Sequence, residues 1–220
     1  MKLLFITATN TDIGKTYTTL KLIETLAHRD VSMGVCKPIE TGVTSLAPDA
    51  FALLTCVKNY NKNFKNFTEK DIMAYRFTLP ASPFCADTHQ SIKIKKIKEK
   101  INELSKLCDL LIIEGAGGLF VPITENYMMI DLIEELNAKT LLVTPSKLGC
   151  INDTLLSIEA LKNRDIDFDW GVNLFEDIED FKKVTQPFYD KAFPNWWSIQ
   201  DGLDEFVSRT IISTPPINEI

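Results

Sequence analysis

The sequence predicts a single-domain α/β fold over residues 1–220, a mostly parallel twisted sheet with helices on both faces. Two observations carry this expectation. The strand candidates are continuous apolar runs rather than alternating ones, as strands buried on both faces require. Between them lie segments whose apolar residues recur at helical spacing, the alternation that builds a parallel sheet. No internal repeat and no linker divides the chain, and 220 residues suit one domain of this class.

Leu3 to Thr7 is a short apolar run, expected to form the first buried strand, and a polar loop follows to Gly14. From Thr16 to His28, Leu20, Ile23 and Ala27 recur at the spacing of a helix. Val31 to Cys36 predicts a second strand that ends at Lys37-Pro38. Residues 39–48, rich in Thr, Gly, Ser and Pro, are expected to form a loop, and Asp49 to open a short apolar helix. Residues 58–70 are polar and rich in Lys and Asn, which predicts a surface excursion. Over 92–107, Ile94, Ile97, Ile101 and Leu104 form one helical face, and Lys93, Lys95, Lys96, Lys98 and Lys100 a solvated one. Leu110 to Ile113 and Thr140 to Thr144 are further strand candidates, helices are expected over 130–137 and 151–164, and Phe168 to Asn173 predicts a last strand. The aromatic residues of 188–197 have two readings at this point, packing anchors or a stacking platform for a nucleobase.

Composition excludes several classes of function. With 24 basic against 30 acidic side chains the net charge is -6, which argues against a nucleic-acid partner. Met1 to Ala8 begins like a signal peptide, but Asn10, Thr11 and Asp12 cut the apolar run short. No stretch approaches the ~18 apolar residues of a membrane span, so no membrane partner and a cytoplasmic location are expected. Five cysteines without a Cys-x-x-Cys pair read as reduced thiols, and His28 and His89 alone argue against a histidine metal centre.

Chemistry concentrates in three places. Ala8-Thr9-Asn10-Thr11-Asp12-Ile13-Gly14-Lys15-Thr16 lies between the first strand and the first helix, the context that gives a Gly-Lys-Thr ending its meaning. Backbone N–H groups wound around a helix N-terminus cradle phosphate oxygens. Lys15 is then expected to reach the terminal phosphates and the Thr16 hydroxyl a Mg²⁺ ion, although Thr9 stands where the common pattern has its first glycine. Asp109 to Glu114 is an apolar strand ending in an acid suited to the metal, followed by Gly115-Ala116-Gly117-Gly118, which can turn tightly against a ligand. Lys37 leaves the C-terminal end of the second strand in the stiffened turn Lys37-Pro38-Ile39-Glu40-Thr41-Gly42. Two lysines converging on one crevice favour negative charge developing on a transferring phosphoryl group. These parts predict a P-loop nucleotide-binding fold.

At these residues the sequence resembles the dethiobiotin synthetases. The matching pieces are Thr-Asp-Ile-Gly-Lys-Thr at 11–16, Lys-Pro-x-x-Thr-Gly at 37–42, Pro-Ala-Ser-Pro at 80–83, Glu-Gly-Ala-Gly-Gly-Leu-Phe-Val-Pro at 114–122 and Lys-Leu-Gly-Cys-Ile-Asn at 147–152. The resemblance covers about residues 1–175, and the last two blocks are far more specific than a phosphate loop alone.

The resemblance implies a ligase that converts 7,8-diaminononanoate, CO₂ and ATP to dethiobiotin, ADP and phosphate through a carbamate and a mixed carbamic-phosphoric anhydride. It implies Lys37 and Lys15 as catalytic residues and Thr16, Asp49 and Glu114 as ligands of Mg²⁺. Nucleotide contacts would come from Asp12, Ile13, Gly14, Lys15, Thr16 and Tyr17, from Asp49, from Glu114, Gly115, Ala116 and Gly117, and from Asn173 at the purine. Thr11, Lys37 and Thr41 would meet the amine or carbamate end of the substrate. Cys150, Ile151 and Asn152 would open a helix whose free N–H groups take its carboxylate from a neighbouring subunit, which implies a homodimer.

Three positions depart from the family pattern. Ala8 replaces a usual glycine, Asp12 a frequent glutamate, and after Asn173 the proline-flanked segment that completes the base pocket is missing, with Pro187 to Trp197 in its place. Another class of function is a nucleotide-switch ATPase of the partitioning or carrier type, but its signature lysine is absent where this chain has Asn10-Thr11-Asp12. An amidase-type ligase of the same fold would need a glutaminase domain for which 220 residues leave no room, and a pure binding module would leave Lys37 and the metal acids idle.

Overall fold

The apolar runs assemble into one parallel sheet. In the computed structural model, which describes residues 2–212, the chain forms β1 (Lys2–Ala8), α1 (Lys15–Ala27), β2 (Met33–Cys36), β3 (Ile39–Glu40) and α2 (Pro48–Val57). Next come β4 (Tyr75–Arg76), α3 (Pro83–Ala86), α4 (Ile94–Ser105), β5 (Leu110–Gly118), β6 (Pro122–Thr124), β7 (Tyr127–Met128) and α5 (Met129–Leu136). The last part holds β8 (Lys139–Pro145), α6 (Cys150–Lys162), β9 (Phe168–Asn173), α7 (Ile178–Asp180), α8 (Gln186–Ala192) and α9 (Ile199–Val207). The main sheet has five strands in the order β2-β5-β1-β8-β9, all parallel.

Burial explains why these runs are continuous. Leu4, Phe5 and Ile6 of β1, Leu111, Ile112 and Ile113 of β5, and Leu141, Leu142 and Val143 of β8 are all shut from solvent. Successive strand side chains point to opposite faces, so consecutive burial means that both faces are covered. Helices α1, α4, α5, α6 and α9 pack on the strands. On α4, Ile97, Ile101 and Leu104 turn inward, while Lys95 and Lys100 pair along the surface with Glu99 and Glu103.

The structure differs from the sequence expectation in three places. Strand β5 does not stop at Ile113 but runs on to Gly118. Its register against β1 shifts there, so that Ile6 faces Glu114 and Ala8 faces Gly118, four steps of β5 against two of β1. Inside the expected loop 39–48, Ile39 and Glu40 pair in parallel with Tyr75 and Arg76, and Pro48 starts α2 one residue before Asp49. The polar stretch 58–70 is more than a surface excursion, because Phe64 is buried against Gly34 and Asn61 donates to the carbonyls of Met33 (2.9 Å) and Leu107 (3.2 Å).

The C-terminal aromatic segment follows the packing expectation and contributes to a second, smaller core. Tyr189 is fully buried, edge-on to Trp170 with ring centroids 5.4 Å apart and near Phe181 at 5.9 Å. Its hydroxyl donates to Thr154 Oγ1 at 3.0 Å. Trp197 stacks on Phe206. These rings hold α8 and α9 to the sheet, so of the two readings packing is the one the structure takes. All five cysteines are unpaired.

Candidate active site

Open parallel sheets bind ligands at the carboxyl ends of their strands. Here the ends of β1, β2, β5 and β9 deliver the phosphate loop, Lys37, Glu114 with its glycines, and Asn173 to one edge. A cavity of about 1140 Å³ opens there. Of the residues singled out from the sequence, Thr11, Asp12, Gly14, Lys15, Thr16, Tyr17, Lys37, Thr41, Asp49, Ala116, Gly117 and Asn173 line it.

The phosphate loop turns into α1 through Gly14, whose φ of 95° is a left-handed conformation that favours glycine. A side chain there would also collide with Asn173, since a Cβ would lie 2.2 Å from its Nδ2. Lys15 folds back over the loop and donates to the carbonyl of Asn10 at 3.0 Å. Asn173 Nδ2 donates to the carbonyl of Ile13 at 3.0 Å, which ties the end of β9 to the loop.

Lys37 forms the floor, with Glu114 beneath it. Lys37 Nζ donates to Asp49 Oδ2 and to Glu114 Oε1, each at 2.7 Å. Glu114 is wholly buried and also accepts from Thr16 Oγ1 and Thr19 Oγ1, each at 2.8 Å. Asp49 is set by Glu40, whose two carboxylate oxygens accept the N–H groups of Asp49 (3.0 Å) and Ala50 (2.9 Å). Glu40 thereby caps α2 from outside the helix, satisfying N–H groups that have no partner within it.

Burial, and then the neighbouring Lys37 charge, lower the Lys15 pKa to about 8. Burial also opposes the charge on Lys37, but Glu114 and Asp49 outweigh it and hold the ammonium above the usual lysine range. Against burial, Lys37 keeps the Asp49 carboxyl below its ordinary value. Glu40, held by backbone N–H groups but deeper, is pushed up by burial.

Thr16, Asp49 and Glu114 offer only hard oxygen atoms, the donor type that Mg²⁺ selects. No cluster of three or more His, Cys, Asp or Glu gathers among the described residues. Two carboxylates and a hydroxyl nevertheless fit an ion that is usually held by one or two carboxylates together with substrate phosphates.

Six of the expected residues do not line the cavity, among them Glu114, beneath Lys37, and Ile13, whose side chain turns into the core while its carbonyl accepts from Asn173. Gly115 is packed against Phe5, where a Cβ would lie 2.8 Å from the ring, and does not line the cavity. Cys150 is buried beneath Tyr189, Ile151 packs on the same small core, and Asn152 is exposed at the start of α6. Other residues join the site without having been singled out: Thr19 beneath Glu114, Glu40 behind Asp49, and Gln200, which lines the cavity from α9. Glu40 was visible as an acid inside a stiff turn. Gln200 carries no sequence signal, because its partners lie a whole strand connection away.

Comparison with known proteins follows the same outline. A family model described as an AAA domain matches residues 2–173. The ATP-dependent dethiobiotin synthetase BioD of Sulfurovum sp. is 59% identical over 94% of this chain and 98% of its own length. The protein of the same name from Wolinella succinogenes is 35% identical over 97% of this chain and 99% of its own. Among solved structures, a plasmid partition protein from Borrelia burgdorferi superposes with a TM-score of 0.58 at 10% identity, covering 94% of this chain and 98% of that one. The MinD cell division protein of Aquifex aeolicus gives 0.51 at 16% identity, covering 95% and 87%. At such identities the two structures share the P-loop fold with this chain and nothing finer.

Proposed function

The chain belongs to the ATP-dependent dethiobiotin synthetase family, and from that premise we propose how its residues divide the work. The protein is an ATP-dependent ligase of biotin biosynthesis. The reaction we assign is carboxylation of 7,8-diaminononanoate with CO₂ and closure of the ureido ring, with ADP and phosphate released.

One substrate amine takes up CO₂ as a carbamate, and Thr11 and Thr41 hold that end at the mouth of the cavity. Lys37, fixed by Asp49 and Glu114, faces the carbamate and the γ-phosphoryl group, so positive charge stands where negative charge develops. The carbamate oxygen attacks the γ-phosphate, and the second amine then closes the ring and expels phosphate. Lys15 leaves the Asn10 carbonyl for the phosphates, where its proton is retained. Asp12 to Tyr17 wrap the phosphates, with Ala116 and Gly117 as the opposite wall and Asn173 toward the purine. Mg²⁺, held by Thr16, Asp49 and Glu114, would neutralise phosphate charge. The chain's own contribution is positioning and electrostatics, which phosphoryl transfer chiefly demands.

A homodimer completes the reading. Asn152, Leu155 and Leu156 share one face of α6, and Leu148 precedes them, 85% exposed, with Leu156 at 63%. An apolar face beside free helix N–H groups suits a second copy that brings Ile151 and Asn152 to its neighbour's cavity for the substrate carboxylate. A cytoplasmic setting agrees with five unpaired thiols and with the absence, among the described residues, of any helix long and apolar enough to cross a membrane.

The observation that carries this reading is the Lys37 ammonium held between Asp49 and Glu114 in the floor of the cavity. An ADP-release assay with Mg²⁺ and ATP, supplying the diamine and bicarbonate separately and together, tests it. Release that requires both and matches ring product one for one is the expected result. Slow release indifferent to the diamine would sink the assignment in favour of a nucleotide switch.

A further inference from the structure

From the chain of side-chain amides at the base end of the cavity, we infer that Gln200 is a positioning residue that locks the Asn173 amide and so makes the site select adenine over guanine. This inference rests on the reading above that Asn173 faces the nucleobase.

The backbone N–H of Leu174 donates to Gln200 Oε1 at 3.0 Å. Gln200 Nε2 donates to Asn173 Oδ1 at 2.7 Å. Asn173 Nδ2 donates to the carbonyl of Ile13 at 3.0 Å. An amide is ordinarily free to exchange its oxygen and nitrogen ends. This series begins on a group that can only donate and ends on one that can only accept. Turning either amide would set donor against donor at one link and, for Asn173, oxygen against oxygen at Ile13. Helix α9 is itself fixed to β9, because the N–H of Val172 donates to the Trp197 carbonyl at 2.9 Å and Ser198 caps the helix. The orientation of Asn173 is thus decided before nucleotide arrives.

Each amide in the series keeps one N–H, and Asn173 Oδ1 keeps a lone pair. A carbonyl oxygen beside an N–H matches adenine, whose exocyclic amino group donates while the adjacent ring nitrogen accepts. Guanine carries an acceptor oxygen at that position beside the same ring acceptor, so the fixed Asn173 oxygen would face oxygen there. Gln200 therefore supplies, from an unrelated helix, an order at the base that the proline-flanked segment missing from this sequence would otherwise be expected to provide.

The test compares kcat/KM for ATP and GTP in the wild-type enzyme, Gln200→Glu, Gln200→Ala and Asn173→Ala, with melting temperatures alongside. The wild type is expected to prefer ATP by at least about 10-fold, the selectivity of one well-placed amide pair. Gln200→Glu presents an acceptor to Asn173 and should bring the ratio to within about 3-fold, through KM rather than kcat. Gln200→Ala, which leaves only the Ile13 link, should fall between. Failure of Gln200→Glu to fold leaves the Gln200→Ala ratio to decide, and a ratio unchanged from wild type overturns the inference. Loss of selectivity in Asn173→Ala but not in either Gln200 variant also overturns it while sparing the role of Asn173. An Asn173→Ala enzyme with unaltered nucleotide KM and selectivity overturns that role and the inference together, and a wild type indifferent to the base overturns the inference outright.

Discussion

Lys37 Nζ lies 2.7 Å from Glu114 Oε1, with Glu114 wholly buried and Lys37 only 3% exposed, at the floor of the cavity. A pair so deep is costly to break from one side, because the surviving charge loses its counterpart. Lys37→Met should lower turnover by at least about two orders of magnitude. It should also cost up to about 3–5 kcal/mol of stability in urea unfolding, the range for an uncompensated buried charge. Adding Glu114→Gln should return part of the stability and none of the turnover. Near-normal turnover in Lys37→Met would remove the lysine from the reaction.

Glu40 predicts a different pattern. Removing its carboxylate in Glu40→Ala releases the N–H groups of Asp49 and Ala50 and should cost about 0.5–2 kcal/mol, as loss of a helix cap does. Asp49 then loses its fixed position. The Mg²⁺ concentration for half activity should rise severalfold, while kcat at saturating Mg²⁺ changes little. An unchanged Mg²⁺ requirement would limit Glu40 to a structural role.

The Lys15 pKa of about 8 makes nucleotide binding depend on pH in a definite direction. Above pH 8 the free enzyme holds this lysine increasingly neutral, and bound phosphates restore its charge. Binding near pH 9 should therefore take up close to one proton, and affinity should weaken as pH rises through about 8. Calorimetry in two buffers of different ionisation enthalpy measures the uptake. Equal heats in both buffers would contradict it.

The C-terminal rings allow a stability test that should leave nucleotide alone. Tyr189→Ala empties a fully buried ring site and should cost about 3–5 kcal/mol. Tyr189→Phe loses the bond to Thr154 and the longer contact with the Cys150 sulfur, and should cost about 1 kcal/mol. The KM for ATP should not move in Tyr189→Phe. A raised KM there would mean that the ring cluster does take part in holding the base.

Much of this molecule could be read in the sequence, for a physical reason. Strands buried on both faces must be apolar throughout, so β1 and β8 stood out within a residue of their ends, while β9, an edge strand that holds Asp169, was marked by its aromatic and Val residues instead. The phosphate loop, Lys37 and Glu114 stood out because particular residue types follow or end apolar strands there, whereas Asp49, in the first turn of α2, was pointed to only by the family resemblance. The second half of β5 was not, since Glu114 to Gly118 holds its ladder with almost no apolar side chain. Phe64 was hidden among lysines and asparagines, its burial being set by Gly34 on another element. The partners of Glu40 and Gln200, backbone N–H groups and the Asn173 amide, come near only in the folded chain, and composition carries no trace of them.

The shifted register between β1 and β5 has a mechanical consequence. Gly115 to Gly117 bulge from a strand that is paired on both sides of them, by Glu114 against Ile6 and by Gly118 against Ala8. The excursion is therefore a very short closed span, with little conformational entropy left to lose. A wall made this way cannot swing like a lid. Its backbone should keep the same course with or without nucleotide, and breathing of the cavity falls to the loops opposite, around Thr41 and Pro80–Pro83. The bulge is the fixed jaw of the clamp.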